Sequence, residues 1–154
     1  MSLIIKDTVI LGIGNILLQD DGVGVHVIKQ LENEKLPSTI ELVDGGTSTL
    51  DTLGLFLDYK KVIVVDCLRA GLKPGTIYKI KPEDIKNYKK ENLSIHDVQI
   101  LDVARMANMM NKYPEVVIFG IEPEKIAVDL EMTQILISKI PDIIHNIKKE
   151  LEIN

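Results

Sequence analysis

The sequence predicts a three-layer α/β fold: a twisted, mostly parallel sheet of about five strands with helices on both faces. Three observations carry this. Short, near-continuous runs of β-branched residues recur at Val9-Ile-Leu11, Ile40–Val43, Val62-Ile-Val-Val65 and Val116–Phe119, the pattern of strands buried on both faces. Between them the apolar spacing switches to a helical period. Polar residues Asn15, Asp21, Asp44 and Asp66 all fall just past the C-terminal ends of expected strands, where open parallel sheets bind ligands. The chain is expected to form one domain over residues 1–154.

Taken in order, Val9–Leu11 reads as the first strand and runs into Gly12-Ile-Gly14-Asn15. Val23, Val27, Ile28 and Leu31 then share one helix face. Ile40–Val43 is the second strand and ends in Asp44-Gly45-Gly46-Thr47. Leu50, Leu53 and Leu57 suggest a short helix before the most clearly buried strand, Val62–Val65. Pro74-Gly75 marks a turn, and Thr76–Ile80 alternates as a strand with one wet face. Residues 82–95, rich in Lys, Asn and Glu, read as an exposed loop. A helix is expected from about Asp97 to Met110, with Val98, Leu101, Val103 and Met106 partly inward. Thr133 can cap the last helix, which Pro141 is expected to kink or break by removing a backbone donor.

Bulk properties exclude several functions. The 154 residues carry a net charge of -5 and no basic run, which argues against nucleic acid and an anionic membrane surface. No apolar run approaches the ~20 residues of a membrane helix, and the N-terminus is charged too soon for a signal peptide. The single cysteine, Cys67, allows no internal disulfide and suits a reducing cytoplasm, the expected location. It reads as a small buried apolar residue.

Gly12-x-Gly14 after a strand is the opening of a dinucleotide-binding turn, but the third glycine position is Leu17. Asp20 and Asp21 at the helix start would repel a pyrophosphate, so no nucleotide is expected. One of these carboxylates can serve as a helix cap, leaving the other free for a ligand. Asp66 ends four apolar β-formers, and an Asp there either bonds the next turn or faces a ligand. Asp44-Gly45-Gly46-Thr47 reads either as a plain turn or as a flexible segment approaching a substrate. His26 and His145 sit near lysines on what read as solvated faces, whereas His96 lies in a long loop before a helix. Asp, Asp and His together suit a divalent transition metal with open positions better than a closed zinc site. No Ser-His-Asp or Cys-His arrangement suggests an acyl-enzyme, and no HExxH is present.

These motifs resemble the hydrogenase maturation endopeptidases, which trim the C-terminal tail of the nickel–iron hydrogenase large subunit after nickel insertion. The likeness rests on Leu11–Gly24, Asp44-Gly-Gly-Thr47-Ser48, Val64-Val-Asp66, Leu72–Ile77, Ser94-Ile-His96 and Gly120-Ile-Glu-Pro123, in compatible order along nearly the whole chain. It implies that Asp21, Asp66 and His96 contact nickel, with Asp21 where the family has Glu or Asp and Asp20 structural. It implies that Gly45, Gly46 and Thr47, with Asn15, line the substrate. Asp21, Asp66 or Asp44 would orient or deprotonate the attacking water, with metal-polarised water as the rival. The nickel would be presented by the substrate rather than permanently held. The expected partner is the large-subunit precursor, met by a monomer. A docking chaperone that leaves the precursor intact, or a small-molecule hydrolase of similar fold, are the alternatives.

Overall fold

The computed structural model describes residues 5–87 and 93–152. Its strands are β1 (Thr8–Ile13), β2 (Ile40–Gly46), β3 (Lys61–Cys67), β4 (Ile77–Ile80) and β5 (Glu115–Ile121). Its helices are α1 (Val23–Leu31), α2 (Leu53–Asp58), α3 (Ile95–Met109) and α4 (Gln134–Glu152). The strands form one sheet in the order β2-β1-β3-β5-β4. All neighbours run parallel except β4, which pairs antiparallel with β5 at the edge. The chain leaves β1 to one side for β2 and then returns to the other side for β3. The C-terminal ends of β1 and β3 are therefore the switch point, where an open sheet offers a crevice.

The pleat sorts the core into two layers. Ile10, Ile63, Val65, Val117, Phe119 and Ile121 face α1 and α4, where they meet Val23, Val27, Leu136, Ile143 and Ile147. Val9, Leu11, Val62, Val64 and Ile118 face the other side and meet Phe56 of α2 and Ile100, Val103 and Ala107 of α3. Both layers exclude water, so β1 and β3 are buried along their whole length, as their continuous apolar runs predict. At the N-terminal end of the sheet, buried Lys61 of β3 reaches Glu150 of α4 at 2.6 Å and ties that helix down.

Several expectations need correction. Pro141 does not break the last helix, which runs from Gln134 to Glu152 with the proline inside. The ring removes one amide, but Leu136 on one side and Ile143, Ile144 and Ile147 on the other are anchored in the core. Thr133 does not cap that helix with its hydroxyl, which bonds Asp20 instead; its carbonyl accepts from Ile137 N. The third helix begins at Ile95 because Ser94 caps it, Oγ accepting from Asp97 N while Asp97 answers to Ser94 N. His96 therefore lies in a first helical turn, not in a loop. Val98 and Met106 are exposed, and the inward face is Asp97, Ile100, Val103 and Ala107. Of the loop expected over 82–95, residues 88–92 lie outside the described residues, and Pro82–Asn87 forms a 3-10 turn.

Candidate active site

The first site segment is set by backbone packing. Gly14 turns the chain at φ +142°, and its N–H bonds the Gly46 carbonyl at 2.8 Å, joining the ends of β1 and β2. A Cβ at Gly14 would overlap the carbonyl oxygen of Asp21, and one at Gly24 would overlap the Val65 carbonyl. Only glycine permits this approach, which draws the start of α1 across the ends of β1 and β3. The two adjacent carboxylates then part. Asp20 is fully buried and accepts from Glu124 N, Lys125 N, Thr133 N and Thr133 Oγ1 at 2.8–3.0 Å. Asp21 Oδ2 accepts from Asn15 N at 2.9 Å, and its charge reaches Asp66 and Cys67. Neither caps α1, whose N-cap is Gly22 with no side-chain bond. Asp20 instead clasps the loop before α4, from more than a hundred positions away in sequence.

Asp66 is the next to last residue of β3, on the same pleat as Val62 and Val64, and so faces the α3 layer. Its Oδ1 accepts from Cys67 N at 2.8 Å. Its carboxyl also hydrogen-bonds that of Asp97, in the first turn of α3. Two carboxyls can do this only with a proton between them. Burial, then the negative charges of Asp97 and Asp21, hold the Asp66 carboxyl well above the usual carboxylate range. Burial likewise raises Asp97, against the bonds it accepts from Ser94. His96 precedes Asp97, and its charged form would favour ionised Asp97. Its Nδ1 lies 3.4 Å from Oγ1 of buried Thr49, which follows the Asp44–Thr47 segment. The Cys67 thiol is buried and pushed far up, first by desolvation and then by Asp66, which removes it as a nucleophile.

The segments after β1, β2 and β3 and the start of α3 thus meet over the switch point. Asp21, Asp66 and His96 each stand on one of them, and Asp97, which the sequence reading missed, joins the group. Asp97 could have been suspected from Ser94-x-x-Asp97, a capping-box spacing, but nothing in the sequence foretells its bond to Asp66. Among the described residues, no three His, Cys, Asp or Glu groups form a set that could hold a metal ion.

The other expected site residues are arranged differently. Asp44 is level with Gly12 on β2, so it stands two strand spacings, about 10 Å, to the side of β3. It is exposed, and its Oδ1 accepts from Gly46 N at 2.9 Å. Asp44, Gly45 and Gly46 belong to the end of β2, with a register irregularity beside Ile13, so only Thr47 lies beyond the strand. Asn15 Oδ1 accepts from Leu17 N at 2.9 Å and braces its own turn. Glu122, just past β5, is a second unforeseen clasp. Its Oε1 accepts from Ala70 N, Gly71 N and Tyr78 Oη, fixing the loop after β3. A roomy groove of about 760 Å³ lies elsewhere, between α1 and α4, lined by His26, Ile140 and His145 among others. His26, expected on a solvated face, has its Nε2 buried there, and burial followed by Lys29 lowers its pKa.

A carboxylate-rich site at the switch point of a three-layer α/β sheet fits a hydrolase. The family model described as hydrogenase maturation protease matches residues 25–150, and the chain belongs to that family. A relative from Methanocaldococcus jannaschii, whose name places it in the same family, is 39% identical over 117 residues, 75% of each chain. The hydrogenase 2 maturation protease of Escherichia coli is 28% identical over 127 residues, 80% of this chain and 77% of that one. The hydrogenase expression/formation protein HoxM of Azotobacter vinelandii is longer, and the match spans 58% of it. Among solved structures, the E. coli hydrogenase maturating endopeptidase superposes with a TM-score of 0.86 at 26% identity, over 95% of this chain and 92% of that one. The chain is therefore a peptidase of the hydrogenase maturation class. Among the described residues no helix is long and apolar enough to cross a membrane.

Proposed function

We propose that this protein removes the C-terminal extension of the nickel–iron hydrogenase large-subunit precursor after nickel insertion. In this reading Asp21, Asp66 and His96 read the inserted nickel, which arrives as part of the substrate. The observation that carries the reading is the convergence of Asp21, Asp66 and the first turn of α3 over the β1/β3 switch point. Two carboxylates and an imidazole suit nickel.

The surroundings favour a protein substrate over a small molecule. The loops near the strand ends lift Leu17, Leu50, Leu72, Val128 and Leu130 into solvent, at 48–90% exposure. Large apolar side chains around a polar centre are what a macromolecular partner covers. This rim disfavours the small-molecule hydrolase, which would need a closed pocket.

The chemistry needs a base to take a proton from water as the oxygen adds to the scissile carbonyl, and a donor for the departing amine. Asp21 and Asp66 are the acid–base groups nearest the metal-reading position. Nickel held by both partners fixes the tail so that its peptide bond lies against water at these carboxyls. Asp44 enters through the Gly45–Thr47 segment that it folds, which lies beside the tail with Asn15. Processing then depends on nickel because an unloaded precursor offers Asp21, Asp66 and His96 nothing to grip.

The test is the intact mass of nickel-loaded precursor after incubation with wild-type protein and with His96→Ala. Loss of one C-terminal peptide with the wild type and none with a folded His96→Ala is the expected result. Full processing by the variant removes His96 from the site. Stable wild-type binding without any change in mass replaces the peptidase reading with the docking chaperone.

A further inference from the structure

We propose that Asp97 is a positioning residue: its bonds to Asp66 and Ser94 lock the end of β3 to the first turn of α3, holding Asp66 and His96 at one fixed spacing. The inference rests on the endopeptidase reading above. The carboxyl groups of Asp66 and Asp97 are both committed to backbone amides. Asp97 Oδ2 accepts from Ser94 N at 2.8 Å, and Asp97 N donates to Ser94 Oγ at 3.2 Å. The same carboxyl bonds Asp66, whose Oδ1 is already held by Cys67 N at 2.8 Å. Asp66 is thus gripped from its own strand on one side and from α3 on the other.

A helix cap needs none of this. A capping-box acid reaches back to one amide and ordinarily keeps its other edge in water. Asp97 is only 5% exposed and sits against Asp66, which is 2% exposed. Two buried carboxyls side by side are unfavourable for folding, which marks the pair as serving the site rather than stability. The geometric consequence is direct. His96 is the residue before Asp97, so whatever fixes the Asp97 side chain on β3 also fixes where the His96 backbone stands relative to Asp66. A group that orients metal-contacting side chains in this way typically changes activity or metal affinity by about 10–100-fold when removed.

Three variants separate positioning from capping, each assayed on nickel-loaded precursor well below its melting temperature. Asp97→Ala removes both bonds of the side chain. Asp97→Asn keeps them, because the amide oxygen still accepts from Ser94 N and the amide nitrogen donates to Asp66. Ser94→Ala removes the other half of the capping box and leaves the Asp97–Asp66 bond in place. We expect kcat to fall by about 10–100-fold in Asp97→Ala with KM within about threefold, and Asp97→Asn to recover to within about fivefold of wild type. Ser94→Ala should melt earlier yet keep kcat within about twofold. Equal kcat losses in Asp97→Ala and Ser94→Ala, or an unaffected Asp97→Ala, overturn the positioning role while leaving the endopeptidase reading intact. A wild type that does not shorten the precursor overturns that reading instead. Asp97 is then judged by calorimetric titration with the nickel-loaded precursor, where about tenfold weaker binding by Asp97→Ala supports the role and equal binding refutes it.

Discussion

Replacing Asp20 with alanine strips the acceptor from three backbone amides and one hydroxyl, those of Glu124, Lys125 and Thr133. The carboxylate is fully buried, so no water takes its place without a rearrangement of the loop. Hydrogen bonds to a charged group contribute about 1.5–3 kcal/mol each. They are not additive here, because the donors sit on one loop that can move together toward solvent. A net loss of about 4 kcal/mol follows, a large share of the roughly 5–15 kcal/mol that holds a domain. With a urea m-value of about 2 kcal/mol/M, the unfolding midpoint should fall by about 2 M. Asp20→Asn should lose about half as much, since it keeps one acceptor oxygen but turns a donor toward groups that also donate. Asp21→Ala makes the contrast, because Asp21 holds the amide of Asn15, and the loss of that bond should move the midpoint by only about 1 M while abolishing processing. A shift in Asp20→Ala no larger than that in Asp21→Ala would refute the division of labour between the two neighbours.

Asp66→Asn should stabilise the protein at neutral pH while removing activity. The Asp66 pKa is raised by burial and then by Asp97 and Asp21, so its stabilising contribution is complete below the ordinary value of 3.8 and is lost as pH rises through its folded value. The variant's advantage in thermal melting should therefore grow from about zero near pH 4 to the order of 2–4 °C at pH 7.5, and an advantage largest in acid would contradict the assignment. Gly24→Ala drives a methyl into the Val65 and Ile13 carbonyl oxygens, neither of which can swing aside. It should cost about 3 kcal/mol, read as a melting temperature lower by about 6–12 °C, and an unchanged melt would mean that α1 can slide off the strand ends. Leu72→Asp and Val128→Asp, at 62% and 90% exposure, should leave melting unchanged and raise KM for the precursor about tenfold. Unaltered KM in both would remove the rim from the docking surface.

The sheet was legible because its strands are buried on both faces and written as unbroken apolar runs, and Val62–Val65 gave the position of Asp66 with it. The switch point follows from topology, so the gathering of Asp21 and Asp66 at one edge could be expected before any side chain was placed. The roles of individual carboxyls were less accessible. Asp20 was rightly separated from Asp21, but for the wrong reason, since its partners are backbone amides that approach only when the chain has folded back. The same holds for Glu122, which gathers amides 50–52 residues away. Asp97 marks only the expected start of a helix in the sequence, and its place against Asp66 comes from the docking of α3 on β3. His96 stands out in the sequence by its motif and its place before a helix, but the helix starts two residues earlier than expected, because Ser94 rather than a later residue caps α3. Pro141 shows the converse error, a local rule outweighed by the buried stripe on both sides of it.

In the proposed function, cleavage reads nickel already in the precursor. The direct measurement is the intact mass of the hydrogenase large-subunit precursor from the same source, nickel-loaded and nickel-free, after incubation with this protein. Loss of one defined C-terminal peptide from the loaded form alone is the predicted result. Equal shortening of both forms would contradict the nickel reading, and no shortening of either would contradict the proteolysis itself.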